Sequence, residues 1–191
     1  PHQAKRIRKL TEESWTEVNQ YTPDIGMPYL CHLPSGRKIT LFFYNATISS
    51  DIAFGNLLEN GDRFAKRLID SFAPDRSDAQ ILSVATDGET YGHHHRFADM
   101  ALAYALHEIE NKNLAHITVY GEYLEKYPPT YEVSIADNTS WSCVHGVKRW
   151  EDDCGCRALY ACLVTDKSIC YPISLGSSAT PYSIKMWNQE W

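Results

Sequence analysis

Apolar residues recur along this chain in two periods, and each period marks a different kind of element. Phe54, Leu57, Leu58, Gly61, Phe64, Ala65, Leu68, Ile69 and Phe72 follow one another at steps of three and four. Glu59, Asp62, Arg63, Lys66, Arg67 and Asp70 fill the positions between. Such steps return to one side of a 3.6-residue turn, so the spacing predicts one amphipathic helix with a single buried face. Pro74 ends it, because proline has no N–H to continue the ladder. A second helical pattern runs through Phe97, Met100, Ala101, Tyr104 and Ile109. A short third one covers residues 122–126 and stops at Pro128-Pro129.

Between these lie short runs rich in β-branched and aromatic residues, at 38–44, 80–85, 116–119 and 131–135. Runs of this length without alternation read as strands buried on both faces. Residues 1–37 read as loop with a helical patch over 12–19, and Pro23, Gly26, Pro28, Pro34 and Gly36 supply turn chemistry. Strands alternating with helices predict an α/β fold with parallel strands and right-handed crossovers. Working residues of such sheets sit at the carboxyl ends of the strands. Residues 157–191 show no clear period and are expected to be an irregular C-terminal part.

Composition narrows the classes. An apolar content of 43% supports a packed core, and 191 residues suit one domain or a large piece of one. The net charge is −6, and Lys5-Arg6-Ile7-Arg8-Lys9 is the one dense basic run. It reads as a solvated loop or helix start, so no nucleic-acid partner is expected. The apolar run 39–44 is too short to span a membrane, and no membrane partner is expected. No stretch has the pattern of a signal peptide, which points to a cytoplasmic chain. In that setting the six cysteines read as thiols or metal ligands rather than a disulfide framework. On the same ground the acceptor patterns Asn45-Ala46-Thr47 and Asn138-Thr139-Ser140 are set aside as glycosylation sites.

The densest chemistry is Thr86-Asp87-Gly88-Glu89-Thr90-Tyr91-Gly92-His93-His94-His95, directly after the apolar run 80–85. Asp87 and Glu89 stand two apart and can face one side of an extended segment. Two nearby carboxyls can divide the roles of proton donor and ionised partner. Gly88 and Gly92 permit sharp turns and a close approach to the backbone. The plainer alternative is a polar turn in which Asp87 or Glu89 caps the following helix. A second cluster holds Trp141 and Trp150, which can stack on sugar rings or simply pack as core aromatics. It also holds Cys143, His145, Cys154 and Cys156, whose donor types suit zinc, although the C-x-H and C-x-C spacings are not the usual pair. Free buried cysteines are the alternative there. Pro34-Ser35-Gly36-Arg37 reads as a tight turn, with Arg37 available to face a ligand.

The stretch Asp87-Gly88-Glu89-Thr90-Tyr91-Gly92-His93 resembles the Asp-x-Glu-x-aromatic-Gly-His motif of glycoside hydrolase family 57. That family holds α-amylase, 4-α-glucanotransferase and α-glucan branching enzymes on an incomplete (β/α)7 barrel. Ser140-Trp141, with Trp150 downstream, is similar to its last conserved region, and the likeness runs over residues 1–156 as a portion of the catalytic barrel. Pro34-Ser35-Gly36-Arg37, His93-His94-His95-Arg96-Phe97 and Tyr120-Gly121-Glu122-Tyr123-Leu124 resemble one uncharacterised branch of it. The resemblance implies a retaining reaction on an α-glucan with no required cofactor. Asp87 is then general acid/base and Glu89 its neighbour, while Tyr91, His93, His94, Trp141, Trp150 and Arg37 bind substrate. It places the nucleophilic Glu before Pro1. The chain is therefore expected to be a piece of a longer catalytic region, inactive alone, with open strand edges that invite a homo-oligomer. Residues 157–186 depart from the family pattern. Two other readings are a non-catalytic sugar-binding or zinc-stabilised structural fragment and a metal-dependent polysaccharide deacetylase. The latter needs Asp-Asp and His-x3-His pairs that this sequence lacks.

Overall fold

In the computed structural model, residues 3–19, 22–140 and 145–151 are described, together with the backbone of 182–188. Trp141, Cys143, Cys154 and Cys156 lie outside these residues. The elements run β1 (Ala4–Lys9), β2 (Thr16–Glu17), β3 (Pro28–His32), β4 (Lys38–Phe42), α1 (Ala46–Phe54), α2 (Gly61–Ile69), β5 (Gln80–Thr86), α3 (Ala98–Asn111), β6 (His116–Ile117), α4 (Tyr120–Lys126), β7 (Tyr131–Ile135), α5 (Lys148–Glu151) and β8 (Tyr182–Asn188). They form a five-stranded sheet in the order β2-β1-β7-β3-β4 and a three-stranded sheet in the order β5-β8-β6. Among the described residues no helix is long and apolar enough to cross a membrane.

The α/β class holds, but most of the described strands pair antiparallel rather than parallel. The described strands make two sheets and no barrel, and only β3 and β7 pair in parallel. The local cause is legible in the backbone. Gly36 takes φ +78, open to glycine, and turns β3 straight back onto β4 as an antiparallel hairpin. The alternating pattern is honoured once. β5 and β6 both run antiparallel to β8, so they are parallel to each other, with α3 as their connection.

Other differences have equally local reasons. Residues 1–37 carry three strands rather than loop and helix. The basic run is β1, in register with β7, where Arg8 lies opposite Glu132. Arg8 donates to Glu132 Oε2 from Nε at 2.9 Å and from Nη2 at 2.6 Å, which makes a mid-strand carboxylate tolerable in a buried position. Both Arg6 and Arg8 lie over the Trp15 ring, at 4.5 and 4.8 Å. The run at 38–44 is an edge strand, partly exposed, and not a strand buried on both faces. The helix expected over 54–72 is shorter. Phe54 ends α1, a helix the spacing did not predict, and residues 57–59 form a separate 3-10 turn. α2 starts after Asn60, whose side chain caps it by accepting from Arg63 N at 2.8 Å. The irregular C-terminal part contains β8, seven residues paired along the whole of β5.

The main core is a helical layer on one face of β5. Ile48 and Ile52 of α1, Phe64 and Leu68 of α2, Ala105 and Ile109 of α3, and Leu82 and Val84 of β5 are all buried in it. Large apolar side chains removed from water on this scale are the main force holding α1, α2 and α3 to the strand. The other face of β5 meets α4, where Ile81 and Tyr123 are buried together. β5 is thus covered on both faces, as its apolar run predicts. Its edge away from β8 is covered too. Asn45 N donates to Ser83 O at 2.7 Å, and Ala85 N donates to Ser49 Oγ at 3.2 Å.

Candidate active site

The site begins where β5 ends. Asp87 is extended, at φ −67 and ψ 142, and a short 3-10 turn covers Gly88–Thr90. Thr90 is buried and its N–H donates to Asp87 O at 3.1 Å. Glu89 O accepts from both His93 N at 3.1 Å and His94 N at 3.0 Å. Between them Gly92 sits at φ +132, a region that L side chains rarely adopt, and turns the chain back. The loop is therefore held by its own backbone hydrogen bonds, from the N–H groups of Thr90, Tyr91, His93, His94 and His95.

Two side-chain bonds brace the loop from outside. Thr86 Oγ1 donates to Tyr91 OH at 3.1 Å and closes the turn across its mouth. Burial pushes the Tyr91 phenol up from its ordinary range, and the Thr86 bond opposes that in part. His95 Nε2 lies 2.9 Å from Ala53 O at the end of α1. α1 thus follows β5 from contact to contact, Asn45 beside Ser83, Ser49 beside Ala85 and Ala53 beside His95. The carboxyl end of α1 and the carboxyl end of β5 meet at one place.

The carboxylates themselves face water. Asp87 is exposed and occupies the cap position of the 3-10 turn, yet its side chain makes no capping bond. The residue before α3 is Phe97, also without a side-chain cap, so neither Asp87 nor Glu89 caps that helix. Glu89 is exposed with Oε2 at 3.9 Å from His94 Nε2, and the rings of His93 and His94 meet edge to face at 5.0 Å. An exposed acid, two imidazoles and a second acid on one braced turn can exchange protons and bind hydroxyl groups.

The remaining expected residues are less closely placed. Arg37 stands at the β3–β4 hairpin, in the five-stranded sheet, and its Nε donates to Ser35 Oγ at 3.1 Å. Trp150 lies on α5 with its side chain 62% exposed. Of the four zinc-type residues only His145 is among those described, on the exposed turn before α5. Among the described residues no group of three His, Cys, Asp or Glu side chains is arranged to hold a metal ion. A cavity lined by Asp24, Gly26, Ser71, Arg76 and Gln80 opens at the amino end of β5, the end away from Asp87. Its polar groups are already used. Arg76 pairs with Asp24 and Asp78 at 2.5 Å each, Gln80 clamps both backbone groups of Ala73, and Ser71 bonds Leu68 O. The cavity is a structural seam and not the site.

Sequence reasoning did not pick out Thr86, Ser49 or His95 as supports of the loop. Thr86 was legible as the last residue of a buried strand, but its partner Tyr91 was not. Nothing in the run His93-His94-His95 distinguishes the third imidazole from the other two.

The sequence model of glycosyl hydrolase family 57 matches residues 9–136, the greater part of the chain. The match contains the whole loop from Thr86 to His95 and ends before Trp141. No curated protein and no solved structure matches the chain.

Proposed function

This chain belongs to glycosyl hydrolase family 57, and we propose that Asp87 is the general acid/base of a retaining reaction on α-glucans. The family supports glycoside hydrolase or transferase chemistry in general terms. The finer reading rests on one observation: Asp87, at the carboxyl end of β5, is held on a braced turn and has no structural task of its own. Its backbone is fixed by Thr90, while its carboxyl group bonds nothing among the described residues. A side chain so placed is available to a substrate.

In a retaining mechanism one carboxylate attacks the anomeric carbon and the other protonates the departing oxygen, then deprotonates the incoming water or sugar hydroxyl. Asp87 takes the second role. Glu89, Tyr91, His93 and His94 flank it and contact hydroxyl groups, joined by Trp141 and Trp150 as stacking residues by resemblance to the family. No residue of this sequence carries over as the nucleophile, so the 191-residue chain assayed alone is expected to leave glucan intact. Turnover by that chain would mean that a carboxylate within it attacks. Zinc at Cys143, His145, Cys154 and Cys156 is a separate proposal, answered by metal analysis of the purified protein.

The test of the acid/base role is Asp87→Asn in the full protein, assayed on maltooligosaccharides and glycogen. Loss of general acid/base help costs about 10²–10⁴-fold in kcat. Unchanged turnover by Asp87→Asn removes the assignment.

A further inference from the structure

Phe97 is the most strained described residue near the acid/base loop, and it is also one of the most exposed. Its φ of 63 and ψ of 14 put a bulky side chain in the left-handed region, where Cβ crowds the following carbonyl. Glycine or asparagine would sit there at lower cost. No side-chain cap offsets the strain; only the Phe97 carbonyl serves α3, accepting from Met100 N at 3.1 Å and Ala101 N at 3.4 Å, which a residue of any type could supply. Nor is it a core position, because the residue is 61% exposed. α3 turns its buried positions Ala98, Ala105 and Ile109 inward and leaves Phe97 and Met100 in water. A strained backbone carrying an unburied aromatic ring is a combination that folding alone does not favour.

The ring's position supplies the reason. Phe97 follows His95 by two residues, and the His95–Ala53 bond fixes this point at the joint end of β5 and α1. Asp87, Glu89, His93 and His94 occupy the same end. Arg96 lies over the Phe97 ring with its guanidinium carbon 4.8 Å from the centroid, which holds the ring's orientation from one side. The rest of the ring faces solvent.

We infer that Phe97 is a sugar-stacking subsite at the same end of β5 and α1 as Asp87, and that the left-handed backbone is retained to present its ring to one glucose unit of the chain. The inference rests on the α-glucan reading above. A pyranose ring offers a face of C–H bonds with partial positive charge, which matches the negative face of an aromatic ring. Polar groups of the loop meet the hydroxyl rim while Phe97 meets the flat face, the usual division of labour in a site for an amphipathic ligand. Arg96 adds donors for hydroxyl groups at the edge of the same ring.

The experiment uses the full protein carrying Asp87→Asn, so that ligand is not consumed, and titrates maltoheptaose by calorimetry. Phe97→Ala and Phe97→Gly are expected to bind about tenfold more weakly, while Phe97→Tyr, which keeps the ring, binds like the parent. Thermal melts are run in parallel. Phe97→Gly relieves the left-handed strain, so its Tm is expected at or above that of the parent. Equal affinity in Phe97→Ala and the parent overturns the subsite alone. A Phe97→Gly protein that melts well below the parent, or fails to fold, shows the ring to be packing and overturns it as well. A parent that binds no maltooligosaccharide refutes the α-glucan reading itself, and the subsite with it.

Discussion

Thr86 and Tyr91 should act as one unit, and a double-mutant cycle measures it. Thr86→Val keeps the shape of the side chain and removes the hydroxyl that donates to Tyr91 OH at 3.1 Å. Tyr91→Phe removes the acceptor. Thr86 is buried, so Tyr91→Phe leaves its hydroxyl without a partner, at a cost of about 1–3 kcal/mol. Thr86→Val costs less, about 0.5–1.5 kcal/mol, because Tyr91 is half-buried where Thr86 is buried. The double variant should be close to the worse single one, for a coupling of about 1 kcal/mol. Urea midpoints read by circular dichroism, with one shared m-value, avoid most of the extrapolation error. Tyr91 titration gives an independent sign. The Thr86 bond stabilises the phenolate, so Thr86→Val should raise the already elevated Tyr91 value further. Coupling indistinguishable from zero, or a Tyr91 value that falls in Thr86→Val, would refute the bracket as a physical unit. If the bracket also positions Asp87, the same non-additivity should appear in kcat.

Three further outcomes follow from the same structure. Asn45→Ala removes the cap that accepts from Ile48 N at 3.0 Å and should cost about 1 kcal/mol by thermal melt, whereas Asn45→Asp should be nearly neutral. Gly92→Ala meets no atom within 4 Å, so any loss is backbone strain at φ +132; about 1–2 kcal/mol is expected, with a matching loss of activity. Glu122 accepts from Thr118 Oγ1 at 2.7 Å and from Lys126, which lowers its carboxyl from the ordinary 4.5 to about 2. A lowered folded value means stability present above pH 4.5 and lost as pH falls toward 2. Glu122→Gln should flatten that part of a urea-midpoint profile; a slope identical to the parent's would show that other carboxylates carry it.

The parts of the fold legible in the sequence are those whose environment is uniform. β5 reads as a buried strand because helices cover one face and α4 the other, and β7 and α4 follow almost residue for residue. β1 was illegible because it carries Arg6 and Arg8, half-buried over Trp15, and Arg8 finds its carboxylate at Glu132, far along the chain. Period alone cannot pair a guanidinium with a carboxylate 124 positions away. The break before α2 was written in Gly55, Asn56 and Asn60, but the apolar steps of three and four from Phe54 onward run across it and outweigh it, and α1 has too little periodicity of its own to be read. Asn45 was visible only as an acceptor pattern, when its work is to cap α1. β8 pairs with β5 across about 100 residues of chain, a non-local contact that no short window contains.

The site divides along the same line. Asp87 could be placed because a buried strand must end in a turn, and the turn residues that follow it are chemical rather than apolar. The roles of the histidines could not, since all three share a residue type and a neighbourhood. What separates them is the path of the backbone. Gly92 at φ +132 reverses the chain, so His93 and His94 fold back over Glu89 O while His95 reaches the end of α1. The first two are free to meet a ligand, and the third holds a helix. Replacing His95 by Gln keeps a donor of similar reach for Ala53 O, and replacing it by Leu does not. Loss of activity in the Leu variant alone would therefore mark His95 as a positioning residue. Equal loss in both would mean that the imidazole itself takes part in the chemistry.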